Sequence, residues 1–77
     1  MDLSPVSGKT AAVIGGRVRG RRISDNLTEE AVARALGCDV DYLKDAESGE
    51  ISFSVVDIMG LCSILRVLPS WFFEELF

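Results

Sequence analysis

The sequence predicts an all-α protein, a compact bundle of five short helices in one domain. Three observations lead there. Turn-forming residues cut the 77-residue chain into short pieces, at Ser24-Asp25-Asn26, Gly37, Ser48-Gly49 and Pro69. Within the pieces apolar residues recur three and four positions apart, as on one side of a helix, and no alternating run is long enough for a strand. With 77 residues and two cysteines the chain can build one small core, and no disulfide framework supplements it.

Each element follows from local chemistry. Residues 1–9 are expected to be a flexible N-terminus, and residues 10–77 a single domain. Thr10 to Ile23 keeps Ile14 and Val18 four apart among arginines and forms the first helix. Ser24-Asp25-Asn26 is turn chemistry. Thr28 is an N-cap, and Glu29 and Glu30 place negative charge at the positive end of the second helix. Val32, Ala33 and Leu36 supply its apolar stripe, and Gly37 closes it. Asp39 caps the third helix, which turns Leu43 and Ala46 inward and ends at Ser48-Gly49. Residues 50–53 are a linker. Ser54 with Asp57 three residues on forms a capping box for the fourth helix, whose stripe is Val55, Ile58, Cys62 and Leu65. Pro69 suits the first turn of a short fifth helix carrying Trp71, Phe72, Phe73, Leu76 and Phe77.

Composition excludes several functions. The chain is 48% hydrophobic and 26% charged, which is enough apolar material to fold. A mean hydropathy of +0.27 leaves apolar surface for a partner. There is no histidine, so Ser-His-Asp and Cys-His catalysis and imidazole-bound zinc are excluded. Cys38 and Cys62 form no CxxC pair and read as reduced core thiols. Gly8-Lys9-Thr10 lacks the upstream glycine and strand of a phosphate loop. The expected protein is no enzyme and takes no cofactor or metal. No secretory signal opens the chain, and the most apolar stretch, Val55 to Phe73, is interrupted by Asp57, Arg66 and Pro69. A cytoplasmic, membrane-free protein is expected.

Charge is unevenly placed. Residues 1–27 carry five basic and two acidic side chains, whereas residues 28–77 carry three basic and ten acidic ones, within a net charge of −4. Arg17, Arg19, Arg21 and Arg22 are crowded into six residues. Such asymmetry suggests an electrostatic role for the first helix.

The second helix, the turn at Gly37-Cys38 and the third helix make a helix-turn-helix. An ungapped series surrounds it: Ile14-Gly15, Arg17-Val18-Arg19, Arg21-Arg22, Leu27-Thr28, Ala33, Leu36-Gly37, Leu43, Glu47-Ser48-Gly49, Ser54, Ile58 and Leu65. In this series the chain resembles the phage-repressor (Cro/cI-type, or XRE) helix-turn-helix family over about residues 14 to 76. The tail from Leu65 to Leu76 is also similar to the family's last helix, where a pair of aromatics follows the proline.

The resemblance implies roles for particular residues. Arg22 matches a family arginine that pairs with a glutamate at the end of the third helix, here Glu47, and clamps the first helix to it. Thr28 and Glu29 would meet phosphate at the start of the second helix. The third helix would lie in the major groove with Asp39, Val40, Asp41, Tyr42, Lys44 and Asp45 toward the DNA. Arg17, Arg19, Arg21 and Lys44 would hold the backbone. Trp71, Phe72, Phe73, Leu76 and Phe77 exceed what one short helix can bury, so part of this tail is expected to form a homodimer contact or another partner surface.

One departure is plain. Family members that read DNA carry Gln, Arg, Ser, Thr or Lys where this third helix has Asp39, Asp41, Asp45 and Glu47, and a Gln in place of Glu29. Carboxylates accept from cytosine N4 but are repelled by phosphates. Two functions therefore stand at this point. The first is a small transcriptional regulator binding double-stranded DNA, as a dimer. The second is a protein of the same fold that binds and inhibits another regulatory protein, as an antiactivator or DNA mimic.

Overall fold

Four α-helices and a 3₁₀ turn succeed one another along residues 8–74, the part of the chain that the structure, a computed structural model, describes. They are α1 (Gly8–Ser24), α2 (Glu29–Leu36), α3 (Val40–Ser48), α4 (Val55–Leu65) and the 3₁₀ turn Pro69–Phe73. No strand occurs among the described residues.

The boundaries obey the capping chemistry with one exception. Thr28 Oγ1 accepts the Ala31 N–H at 3.0 Å, and Gly37 ends α2 in the left-handed conformation at φ 73°. Ser54 and Asp57 form the complete capping box of α4. Asp39 has the extended backbone of an N-cap, but its side chain makes no capping bond. α1 begins two residues before the expected start, so Gly8 and Lys9 belong to it. The remainder of the expected flexible N-terminus lies outside the described residues.

The fifth helix is corrected to a 3₁₀ turn of five residues. Trp71 N–H donates to Leu68 O, the i−3 pattern, at 3.0 Å. Phe72 enters the core from this turn, with Trp71 and Phe73 packed against it. Trp71 meets Phe72 edge-on with centroids 5.1 Å apart. Leu76 and Phe77 lie outside the described residues.

Every element contributes to one core: Ile14 and Val18 from α1, Val32 and Ala33 from α2, Leu43 from α3, Leu61 and Leu65 from α4, and Phe72. The α4 stripe also needs correction. Val55 is 76% exposed and Leu61 is fully buried. This helix is apolar nearly all round, so periodicity alone does not say which side faces inward.

Two glycines set how closely α1 meets α3. A Cβ on Gly15 would lie 2.3 Å from Ala46 O and 2.5 Å from Glu47 O, so only a hydrogen lets the helices touch there. Gly49 ends α3 at φ 88°, and its Cβ would lie 2.6 Å from Ala12 Cα. The last turn of α3 is thereby pressed onto α1, which is where the Arg22 clamp closes.

Candidate nucleic-acid interface

Arg22 and Glu47 meet across the α1–α3 crossing, twenty-five residues apart in sequence. Arg22 Nε donates to Glu47 Oε2 at 2.8 Å and Nη2 to Oε1 at 3.1 Å, a two-pronged pair. Nη1 donates to Leu27 O at 3.0 Å, adding the turn before α2 to the junction. Both side chains are buried. The hydrogen bond to Glu47 holds the Arg22 pKa above its ordinary value, overcoming the opposite effect of burial, and the charges of Glu47, Glu29 and Glu30 add to it. One arginine thus joins α1, the turn before α2 and the end of α3.

Around this clamp lies a polar hollow lined by Arg19, Arg22, Glu29, Lys44, Glu47 and Ser48. Arg19 from α1, Lys44 from α3 and the first turn of α2 meet here. Glu29 lines the same hollow as Arg19, Arg22 and Lys44. Ser48 is a member that sequence reasoning missed; its only local signal is its place one helical turn after Lys44.

The four clustered arginines do not act together. Arg19 and Arg22 face the hollow, whereas Arg17 and Arg21 do not. Arg17 Nη1 donates to Trp71 O at 3.0 Å and Nη2 to Glu74 O at 2.5 Å, so its guanidinium ties the terminal turn to α1. Arg21 pairs with Asp25 one turn later at 3.1 Å. Arg17, expected to hold the DNA backbone, has both Nη nitrogens on carbonyls of the terminal segment, away from α3.

On α3, Asp41, Lys44 and Asp45 are exposed, and Asp39 precedes them, exposed as well. Val40, expected over bases, is half-buried and packs against the core. Tyr42 is half-buried, and its hydroxyl donates to Asp57 Oδ2 at 2.6 Å. That bond, burial and the charge of Asp57 push the Tyr42 phenol up to about 12. Burial, with the charges of Asp57 and Asp39, also raises the Cys38 thiol and keeps it protonated. Cys38 is a packing residue of the turn.

Of the expected tail surface, Phe72 is fully buried, while Trp71 and Phe73 are half-buried against the core. The exposed apolar surface lies elsewhere: Val55, Val56 and Met59 on α4 and Leu68 beyond it are 65% to 76% exposed. No cluster of groups that would hold a metal ion occurs among the described residues, and no helix among them is long and apolar enough to cross a membrane.

Comparison with known proteins agrees with this geometry. A family profile described as a helix-turn-helix domain matches residues 13–70. An uncharacterized HTH-type transcriptional regulator, y4aM of Sinorhizobium fredii, is 29% identical over 63 residues, covering 82% of this chain and 44% of that one. The chain thus spans less than half the length of this curated relative. Among solved structures, the restriction-modification controller protein C.AhdI from Aeromonas hydrophila superposes with a TM-score of 0.77 at 29% identity, over 84% of this chain and 98% of that one. The clp gene regulator ClgR from Corynebacterium glutamicum superposes at 0.80 with 21% identity, over 86% and 70%, and shows the shared fold. These relatives favour the first of the two functions expected from the sequence.

Proposed function

Because this chain belongs to the helix-turn-helix domain family, in its Cro/cI-type (XRE) branch, we propose that it is a DNA-binding transcriptional regulator working inside the cell as a homodimer. The observation that carries the reading is the Arg22–Glu47 clamp, which presents the exposed face of α3 as a rigid projection beside the N-terminus of α2. In this reading α3 enters the major groove. Arg19 and Lys44 bracket the backbone, and the α2 N-terminus at Thr28 and Glu29 approaches a phosphate. Asp41 and Asp45 face base edges, where a carboxylate accepts from cytosine N4. Arg17 and Arg21 are left out of the contact.

The acidic face sets a characteristic energetics. Few basic groups neutralise phosphate, so non-specific affinity is low and binding depends on the right bases. The homodimer forms through the exposed apolar residues of α4, Val55, Val56 and Met59, together with Leu68, in place of the tail aromatics. Beside them opens an apolar cleft of about 290 Å³ lined in part by Ala11, Phe53, Met59 and Phe73. A two-fold dimer would set its α3 helices on half-sites about one helical turn, roughly 34 Å, apart.

The test is a titration of wild type and of Asp41→Asn/Asp45→Asn with duplex DNA at two ionic strengths. Salt-sensitive binding by wild type is expected. The double variant should bind random duplex more tightly and lose preference for cytosine. A wild type silent at low salt, with binding gained only on neutralising the two acids, would overturn the reading.

A further inference from the structure

α3 packs on α1 and α2, whereas α4 packs on α2 and the terminal turn. α3 and α4 share the core through Leu43, Leu61 and Leu65, and Tyr42 Oη donates across to Asp57 Oδ2 at 2.6 Å. Its acceptor is held in advance. The same Asp57 oxygen accepts the Ser54 N–H at 3.1 Å, and the Asp57 N–H donates to Ser54 Oγ at 3.0 Å. The carboxylate therefore sits in the capping box of α4, at that helix's positive end, before Tyr42 reaches it. A short hydroxyl-to-carboxylate bond of this kind is charge-assisted and directional.

Tyr42 stands at a sensitive place on α3. Asp41 precedes it and Lys44 follows by two residues, so a rotation of α3 about its axis moves both. A phenol has one proton to donate, and a phosphate diester offers only acceptors. With that proton given to Asp57, the hydroxyl has none left for the DNA backbone. A carboxylate within hydrogen-bonding distance also repels any phosphate brought to the same oxygen.

We infer that Tyr42 is a positioning residue: its hydrogen bond to Asp57 sets the rotation of α3 against α4, and with it the register of Asp41, Lys44 and Asp45 over the bases. The inference rests on the DNA-reading function proposed above. It predicts that sequence discrimination depends on a bond that never touches DNA.

The experiment compares wild type, Tyr42→Phe, Asp57→Ala and the double variant on two probes. One probe is a short random-sequence duplex at low salt, and the other is the tightest duplex that wild type selects from a randomised library. Tyr42→Phe should weaken the selected duplex by up to about tenfold, as the rotation of α3 that reads bases loses the bias of one hydrogen bond to a charged group, and leave the random duplex nearly unchanged. Asp57→Ala should lower the same ratio, and the double variant should be no worse than the poorer single one. Asp57→Asn, which keeps an acceptor and a cap, should recover part of the ratio and guards against a misfolded Asp57→Ala. Equal weakening of both probes by Tyr42→Phe, which would mean that the hydroxyl touches DNA itself, or additive effects of the two single changes, which would mean that Tyr42 and Asp57 act independently, would overturn the inference. Wild type that binds no duplex would overturn the proposed function as well. In that event the Tyr42–Asp57 bond is still read separately, since Tyr42 is the only tyrosine and its phenol absorbance titrates alone.

Discussion

Arg22 uses three of its five N–H donors on two elements, Glu47 in α3 and the Leu27 carbonyl ahead of α2. Removing it leaves Glu47 buried with its charge uncompensated. Arg22→Ala is therefore expected to lower stability by about 3 kcal/mol or more, whereas Arg19→Ala, at an exposed position, should change it by less than about 0.5 kcal/mol. Urea denaturation midpoints check this, and equal midpoints would contradict the clamp. Arg22→Lys should rescue little, because an ammonium cannot make the two-pronged contact. Tyr42 carries a second residue-scale expectation. Its folded-state pKa of about 12 exceeds the ordinary value of 10.0, so the folded state binds the phenol proton more tightly. The stabilisation is complete below pH 10 and is lost as pH rises through the interval up to about 12. Tyr42→Phe should remove this part of the alkaline loss, measured as the difference between the two proteins' stability–pH curves. The spacing of Arg22 and Glu47 was readable as a pair through the resemblance. The partners of Tyr42 and Arg17 were not, since those bonds join residues 15 and more than 50 positions apart.

At the scale of elements, the α1–α3 crossing depends on Gly15. A methyl there would penetrate the Ala46 and Glu47 carbonyls, and relief requires the helices to separate. Gly15→Ala should destabilise by about 1–3 kcal/mol and also loosen the Arg22–Glu47 pair, even though alanine is the better helix former. Gly16→Ala is the control: a Cβ there meets nothing within 4 Å, and the variant should be neutral or slightly more stable. Thermal melts of the pair separate crowding from propensity. The terminal turn is a second case. Phe72 fills the core while Arg17 holds the carbonyls on either side of the ring pair. Element boundaries were legible because caps are local: Thr28, Gly37, Gly49 and the Ser54–Asp57 box each announce themselves within four residues. The α4 face was not legible, because Val55, Val56, Ile58, Met59, Leu61, Cys62, Ile64 and Leu65 leave hardly any polar side to orient it.

For the whole molecule, the exposed apolar surface is expected to set the oligomeric state. Sedimentation of the intact chain should give a mass near twice 8.4 kDa. Val56→Glu with Met59→Glu should give a folded monomer that binds a single half-site, because both side chains are exposed and outside the core. A monomeric wild type at high concentration would remove the dimer. The sequence by itself determined the all-α class, the positions of α1 to α4, the helix-turn-helix at their centre and the absence of histidine chemistry. These are consequences of spacing and capping, which act over a few residues. Only the tertiary structure decided how the basic cluster is divided, with Arg19 beside Lys44, Arg17 on the terminal turn and Arg21 on Asp25. It alone turned Val40 and Phe72 inward, left Val55 outside, and brought Tyr42 to Asp57. A side chain's direction depends on how its helix sits against its neighbours, and that is decided by contacts between residues distant in the chain, such as the close approach of Gly15 to Ala46.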